Sequence, residues 1–242
     1  MTPEELVQTV DPLIGNIGAA SYFHPTTLAR SKEAGLDGFR FYFLGRGGVL
    51  GNVEAEVIGS AFGYFHPDLV DKIWNSAKEK MEPREAGRLY LELARQLGRD
   101  NFADIPNLEG VVEALELAYN SANHAGLALS SGFNAEPLCD DLPGKAMQLV
   151  TVLREYRGSA HLVALRACGV LPEVAHAIRR PDDTGTFGWD PAPTATAEDH
   201  ANYKNAQALT DTIVLEAYSP LSADQATALV AGLEAMNAKV SR

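Results

Sequence analysis

Cysteine is nearly missing: Cys139 and Cys168 are the only two in a chain of 242 residues. Neither stands at metal-ligand spacing, so neither a disulfide framework nor a zinc site is indicated, and a reducing cytoplasm is the expected compartment. Positive charge is scarce as well, with 20 Lys and Arg against 32 Asp and Glu and a formal net charge of −12. Such a chain repels nucleic acid and anionic membranes unless its basic groups converge on one face, and in the sequence they do not. The densest basic stretch, Lys72 to Arg99, is interleaved with Asp71, Glu79, Glu82, Glu85 and Glu92 and reads as a mixed, solvated helix surface. Nucleic acid is therefore a disfavoured partner. There is no uncharged apolar run of membrane-spanning length, and the opening MTPEELVQTV is acidic, unlike a secretory signal, so no membrane association is expected.

Catalytic signatures are also lacking. G-x-S-x-G, H-E-x-x-H and paired C-x-x-C do not occur. GRGGVLG, Gly45 to Gly51, fails as a dinucleotide loop because Leu50 stands where the third glycine belongs, and it lacks the Gly-Lys-Ser/Thr of a phosphate loop. It reads as a tight turn that presents Arg46. Ser130 and Ser131 have no activating neighbour in the local sequence and read as turn residues. His24, His66 and His161 each lack a second ligand one turn away, which argues against a three-nitrogen metal site. No metal and no cofactor are expected.

What is present is helical periodicity. With 46% hydrophobic residues the chain can bury a full core. Leu6, Val7, Val10, Leu13, Ile14 and Ile17 form one stripe of period 3.6, after Thr2-Pro3-Glu4-Glu5, a capping box with proline in the first turn. Pro12 predicts a kink or a restart capped by Asp11. Similar spacing marks Pro67 to Met81, Pro83 to Leu97, Leu108 to Asn123, Lys145 to Arg157, Ser159 to Ala167 and Glu198 to Tyr218, and Ser222 with Gln225 starts one more helix. GFRFYFLG alternates like a strand, but its helical flanks favour a buried aromatic helix. LSSGFNAEPLCDDLPG reads as turns, and PDDTGTFGWDPAPTATA as a connection. The expected fold is all-α with about ten helices. Residues 1–180 form a main domain around a pocket, 181–197 a linker, and 198–242 a helical pair packed on the main domain.

YFHP occurs twice, at Tyr22 to Pro25 and at Tyr64 to Pro67. Each proline suits the first turn of a helix and pushes the residue before it out of the helical region, so His24 and His66 sit at N-caps. The similarity dies within a few residues of each copy, so no duplicated domain is implied. In LREYRGSAHLVAL, a helix continuous through Gly158 would align Arg154, Arg157, His161 and Leu165 beside the apolar stripe of Val150, Leu153, Tyr156, Ala160 and Ala164. Arg157 at that border can hold a carboxylate or enolate while His161 transfers a proton. The plainer reading pairs the arginine with Glu56 or Glu155 and bonds the histidine to a backbone carbonyl. His124, His176 and His200 read as surface or helix-end residues.

Taken as a set, YFHP, AGLDGFRFYFLGRGGVLGNVEAEV, the second YFHP within F-x-Y-F-x-P, LREYRGSAHLVAL, and the late ALTD and AYSPL resemble the SalK-like helix-turn-helix family of bacterial proteins, over nearly the whole chain. The resemblance falls on Tyr22, Phe23, Pro25, Tyr42, Gly45, Arg46, Leu50, Gly51, Glu56, Phe65, Pro67, Arg157, Gly158, His161 and Asp211. His24 and His66 occupy places that vary in the family. The resemblance implies likeness to MarR-type regulators. Here, however, Gly188-Trp189 runs through Asp190-Pro191-Ala192-Pro193 almost directly into the last helices, so the winged-helix portion is expected to be reduced or lost.

The expected function is a cytoplasmic binding protein for a small apolar organic metabolite in bacterial specialised metabolism, with a homodimer allowed. As a cofactor-independent cyclase, isomerase or lyase it would use His161, His24 or His66 as acid or base, Arg46 or Arg157 to steady an oxyanion, and Tyr42 to orient the substrate. The alternatives are a non-catalytic ligand-binding protein and a winged-helix-derived transcriptional regulator.

Overall fold

The computed structural model describes residues 1–240, and these are all-helical, with no strand among them. The α-helices are α1 (Pro3–Ala19), α2 (Pro25–Glu33), α3 (Gly38–Gly47), α4 (Ala55–Phe62), α5 (Pro67–Lys78), α6 (Pro83–Asn101), α7 (Leu108–Ser121), α8 (Ala128–Asn134), α9 (Leu142–Ala167), α10 (Pro172–Arg179), α11 (Ala197–Tyr218) and α12 (Ala223–Val240). Two 3₁₀ turns, Gly48–Leu50 and Pro181–Phe187, extend α3 and α10. No single helix among the described residues is long and apolar enough to cross a membrane.

α9 is the axis of the molecule. It packs against α6, α7, α8, α11 and α1, and is buried around most of its circumference, which is why its sequence is only weakly amphipathic. It runs unbroken through Gly158, at a cost of about 1 kcal/mol relative to alanine that the surrounding burial offsets. On one side, aliphatic residues of α1, α7, α9, α11 and α12 form a core that includes Val10, Ile14, Leu115, Leu153, Leu229 and Met236. On the other, α3 to α6 and α8 bury an aromatic core of Phe41, Phe43, Phe62, Trp74, Tyr90 and Phe133. GFRFYFLG is therefore a helix, as its flanks predict.

Four local expectations change. Pro12 does not interrupt α1, because Gln8 and Pro12 lie on the exposed face, where water can reach the carbonyl that proline leaves unpaired. Asp11 is accordingly no cap; it is buried and turned toward α9. The LSSGFN stretch is α8 rather than turns, held helical by burial of Leu129, Ser130 and Phe133. GRGGVLG is the end of α3 and its 3₁₀ extension rather than a turn. Its glycines let two backbones touch: a Cβ on Gly48 would lie 1.9 Å from the Pro83 carbonyl oxygen of α6.

Both capping boxes form, at Thr2 with Glu5 and at Ser222 with Gln225. The YFHP histidines cap as well. His24 Nδ1 accepts the Thr26 N–H at 3.4 Å, and His66 Nδ1 accepts the Asp68 N–H at 3.2 Å. His66 also fastens the segment after α10. Its N–H donates to the Phe187 carbonyl at 2.8 Å and its ring meets Trp189 edge-on, while Trp189 Nε1 donates to the Tyr64 carbonyl at 2.8 Å. The first part of the proline-rich connection is thus packed structure, and it becomes a wall of the site.

Candidate functional site

Two hollows adjoin between α1, α3, α9, α10 and α11. The first, about 460 Å³, is an aromatic chamber walled by Phe39, Tyr42, Phe65, Phe187 and His176. The second, about 670 Å³, is polar and includes Asp11, Arg157, Gln207 and Asp211. Arg46, Tyr64, Arg154, His161, Arg179 and Arg180 border both and form the neck between them.

The neck is organised by one buried carboxylate. Glu155 is 1% exposed and accepts Arg46 Nη2 at 2.7 Å, Arg154 Nη1 at 2.7 Å, Arg46 Nε at 3.0 and 3.2 Å, and the Tyr22 hydroxyl at 3.2 Å. Burial would raise its pKa, but Arg46 and Arg154 outweigh burial and hold the carboxyl below the ordinary range. Arg46 also donates to the Tyr42 hydroxyl at 3.1 Å and lies over the Phe62 ring at 4.3 Å. Each of its three guanidinium nitrogens donates to Glu155 or Tyr42, and the Tyr42 hydroxyl keeps its proton available to the chamber. Among the described residues Arg154 bonds only Glu155 and covers the Tyr22 ring at 4.7 Å, so most of its donors remain open.

Arg157 is spent on protein. It bonds Asp11, with Asp211 at 3.6 Å and Gln207 at 3.5 Å, so its partners are neither Glu56 nor Glu155. Burial pushes the Asp11 carboxyl up to about 6, against the pull of Arg157.

His161 is 5% exposed, and its ring orientation is fixed from α11. Nδ1 lies 2.8 Å from Thr210 Oγ1, whose own proton goes to the Ala206 carbonyl at 2.7 Å. The hydroxyl can then only accept from the ring, so Nδ1 carries the hydrogen and Nε2 is a bare lone pair. The partner is a side-chain hydroxyl rather than the backbone carbonyl expected. Burial first, then Arg157 and Arg179, lower the His161 pKa to about 4, so the ring is neutral around pH 7.

The site formed by the two hollows brings together Tyr42, Arg46, Arg157 and His161 of the residues singled out from sequence. It does not include His24 or His66, which sit at helix starts outside both hollows. It adds Arg154, Arg179, Tyr64 and His176. His176 lies at a helix end, one of its two expected places, but not on the surface: it is in the last turn of α10, is 7% exposed, stands 3.8 Å from the Phe187 ring centre, and neither ring nitrogen has a hydrogen-bond partner among the described residues. Arg179, one turn on, has no hydrogen-bond or ion-pair partner among the described residues. Their i, i+3 spacing in PEVAHAIR is visible in sequence, but only the folding of α10 over the chamber gives it meaning.

A second histidine also differs from expectation. His124 is half-buried, with Nδ1 2.8 Å from Ser130 Oγ, so that serine does have a basic neighbour. Ser130 is wholly buried, however, and out of reach of a substrate. Among the described residues, no three His, Cys, Asp or Glu side chains converge as a metal site.

A family model described as "Helix-turn-helix family" matches residues 6–186. No curated protein and no solved structure matches the chain.

Proposed function

The chain belongs to this helix-turn-helix family, and within it we propose that the protein binds a small organic metabolite with an apolar body and transfers a proton on it without a cofactor. The motifs that resemble the SalK-like group support that group as the finer reading. The observation that carries the reading is His161: a neutral imidazole of fixed tautomer, offering Nε2 where an aromatic chamber meets a cluster of guanidinium groups. A carbon acid seated with its ring in the chamber would place its carbonyl oxygen toward Arg154 and its acidic C–H toward Nε2. The electron pair left behind becomes an enolate, stabilised by the guanidinium donors, and the proton held on Nε2 goes to a different carbon in an isomerisation, to the departing group in an elimination, or to the oxygen of a second carbonyl that the enolate carbon attacks in a cyclisation.

Proton exchange tests this directly. A panel of aryl ketones and aryl β-keto acids is incubated with the protein in D₂O and deuterium uptake is followed by mass spectrometry. Uptake should be catalysed by the native protein, fall by about 100-fold in H161Q, and persist in H24A and H66A, whose rings cap helices. Uptake that is equal in native protein and H161Q removes the acid/base role.

The family description supports a second reading, a ligand-responsive regulator built on the same cavity. The net charge of −12 and the lack of any strand among the described residues to form a β-wing weigh against it. A salt-sensitive mobility shift with the upstream DNA of its own gene would restore it.

A further inference from the structure

The chain has thirteen arginines, and five of them, Arg46, Arg154, Arg157, Arg179 and Arg180, line the paired hollows, where there is no lysine. In a protein of charge −12 this concentration needs a reason. The carboxylates that line the hollows or bond these arginines are four: Asp11, Glu155, Asp183 and Asp211. Arg46 is satisfied by Glu155, Arg157 by Asp11 and Asp211, and Arg180 has Asp183 at 3.9 Å. Arg154 shares an already committed Glu155, and Arg179 has no hydrogen-bond or ion-pair partner among the described residues. The neck therefore keeps an excess of about one positive charge, located at Arg154 and Arg179.

An independent observation points to the same place. His176 lines the chamber, is more than nine-tenths buried, and leaves both ring nitrogens unpaired. A buried polar group without a partner costs about 1–3 kcal/mol, a cost removed when a ligand supplies the partner. The remaining wall is flat and apolar: Phe187 stacks on Phe65 at 4.3 Å, and Phe39 meets Phe65 edge-on at 6.0 Å. A planar ring can lie against such a wall, and about 460 Å³ accommodates a body of two or three fused rings.

We infer that the ligand is a monoanionic aryl carboxylate, its carboxylate between Arg154 and Arg179 with His176 as an added donor, and its rings against Phe39, Phe65 and Phe187. This rests on the small-molecule reading above and narrows it. Guanidinium pairs match the two oxygens of a carboxylate, and an excess of one charge suits a monoanion better than a phosphate dianion.

The test compares 2-naphthoate, 2-naphthylmethanol and 2-naphthyl phosphate by calorimetric titration into the full-length protein. Naphthoate should bind at least about tenfold more tightly than the alcohol, and R179Q should bring the ratio of the two affinities close to one. R154Q should do the same. If it fails to fold, R179Q, at the exposed end of α10, still decides the matter. Equal affinity for naphthoate and alcohol overturns the anion assignment and leaves the small-molecule reading standing. A preference for the phosphate overturns the monoanion. Failure of all three to bind overturns the small-molecule reading together with this inference.

Discussion

Asp11 and His161 should make opposite and nearly cancelling contributions to stability between pH 4 and 6. The imidazole titrates near 6.5 in an unfolded chain but at about 4 in the fold, so over that interval the unfolded state binds the extra proton and stability rises with pH. The carboxyl moves the other way, from 3.8 to about 6, so the folded state binds the extra proton and stability falls with pH. Both residues are under one-tenth exposed, so solvent screening takes little from either. Each linkage amounts to about 3 kcal/mol, spread at about 1.4 kcal/mol per pH unit. The perturbation is to remove one group at a time, and the assay is urea denaturation of native protein, H161Q and D11N at half-unit steps from pH 4 to 7. The advantage of native protein over H161Q should grow by about 3 kcal/mol as pH rises to 6.5, and its advantage over D11N should shrink by a similar amount up to pH 6. Difference curves flat to within about 0.5 kcal/mol would refute the burial argument for both groups.

Three further outcomes follow from the same contacts. E155Q, which leaves Arg46 and Arg154 facing a neutral amide, should cost about 3–5 kcal/mol, or roughly 6–20 °C of melting temperature, and the double change R46M/E155M should cost less than E155Q by calorimetry. G48A should lose about 3 kcal/mol in urea because its methyl group meets a backbone oxygen, whereas G15A, with nothing within 4 Å of its Cβ, should gain about 0.5–1 kcal/mol. Adding 2-naphthoate should raise the His161 titration, followed through its ring proton by NMR, by about one pH unit, because a carboxylate offsets Arg179.

The helices were largely legible because they rest on local chemistry. Capping boxes at Thr2 and Ser222, prolines after His24 and His66, and apolar spacing in α1, α6, α7 and α11 are all written within a few residues. The misreadings share one cause: tertiary burial outweighed local signals. Ser, Gly and Asn in α8 suggest turns until Phe133 is placed in the aromatic core, and Pro12 suggests a break until its face is known to be exposed. The site was half legible. The stripe of Arg154, Arg157 and His161 follows from the 3.6 period of α9. The pairing of Arg46 with Glu155 joins residues 109 apart, that of Arg157 with Asp11 residues 146 apart, and neither separation leaves a trace in sequence pattern.

The division of labour within the site bears on how its chemistry is set. α3 and α9 supply the charges, Arg46, Arg154, Glu155 and Arg157, and both lie inside the stretch that matches the family. What determines the state of those charges comes from α11, beyond residue 186: Thr210 selects the His161 tautomer, and Gln207 and Asp211 share Arg157 with Asp11. Without Thr210 the same imidazole could place its hydrogen on either nitrogen, and a lone pair facing the neck would no longer be guaranteed. Without Asp211, Arg157 would depend on Asp11 alone, and burial already disfavours that carboxylate's charge. With Asp211 lost and Asp11 neutral, Arg157 would keep no charged partner among the described residues and could meet an anion. The framework and its tuning are thus held by different parts of the chain. A change of ligand or of protonation state in this site therefore needs only substitutions on one face of α11, with the helices that carry the arginines left as they are.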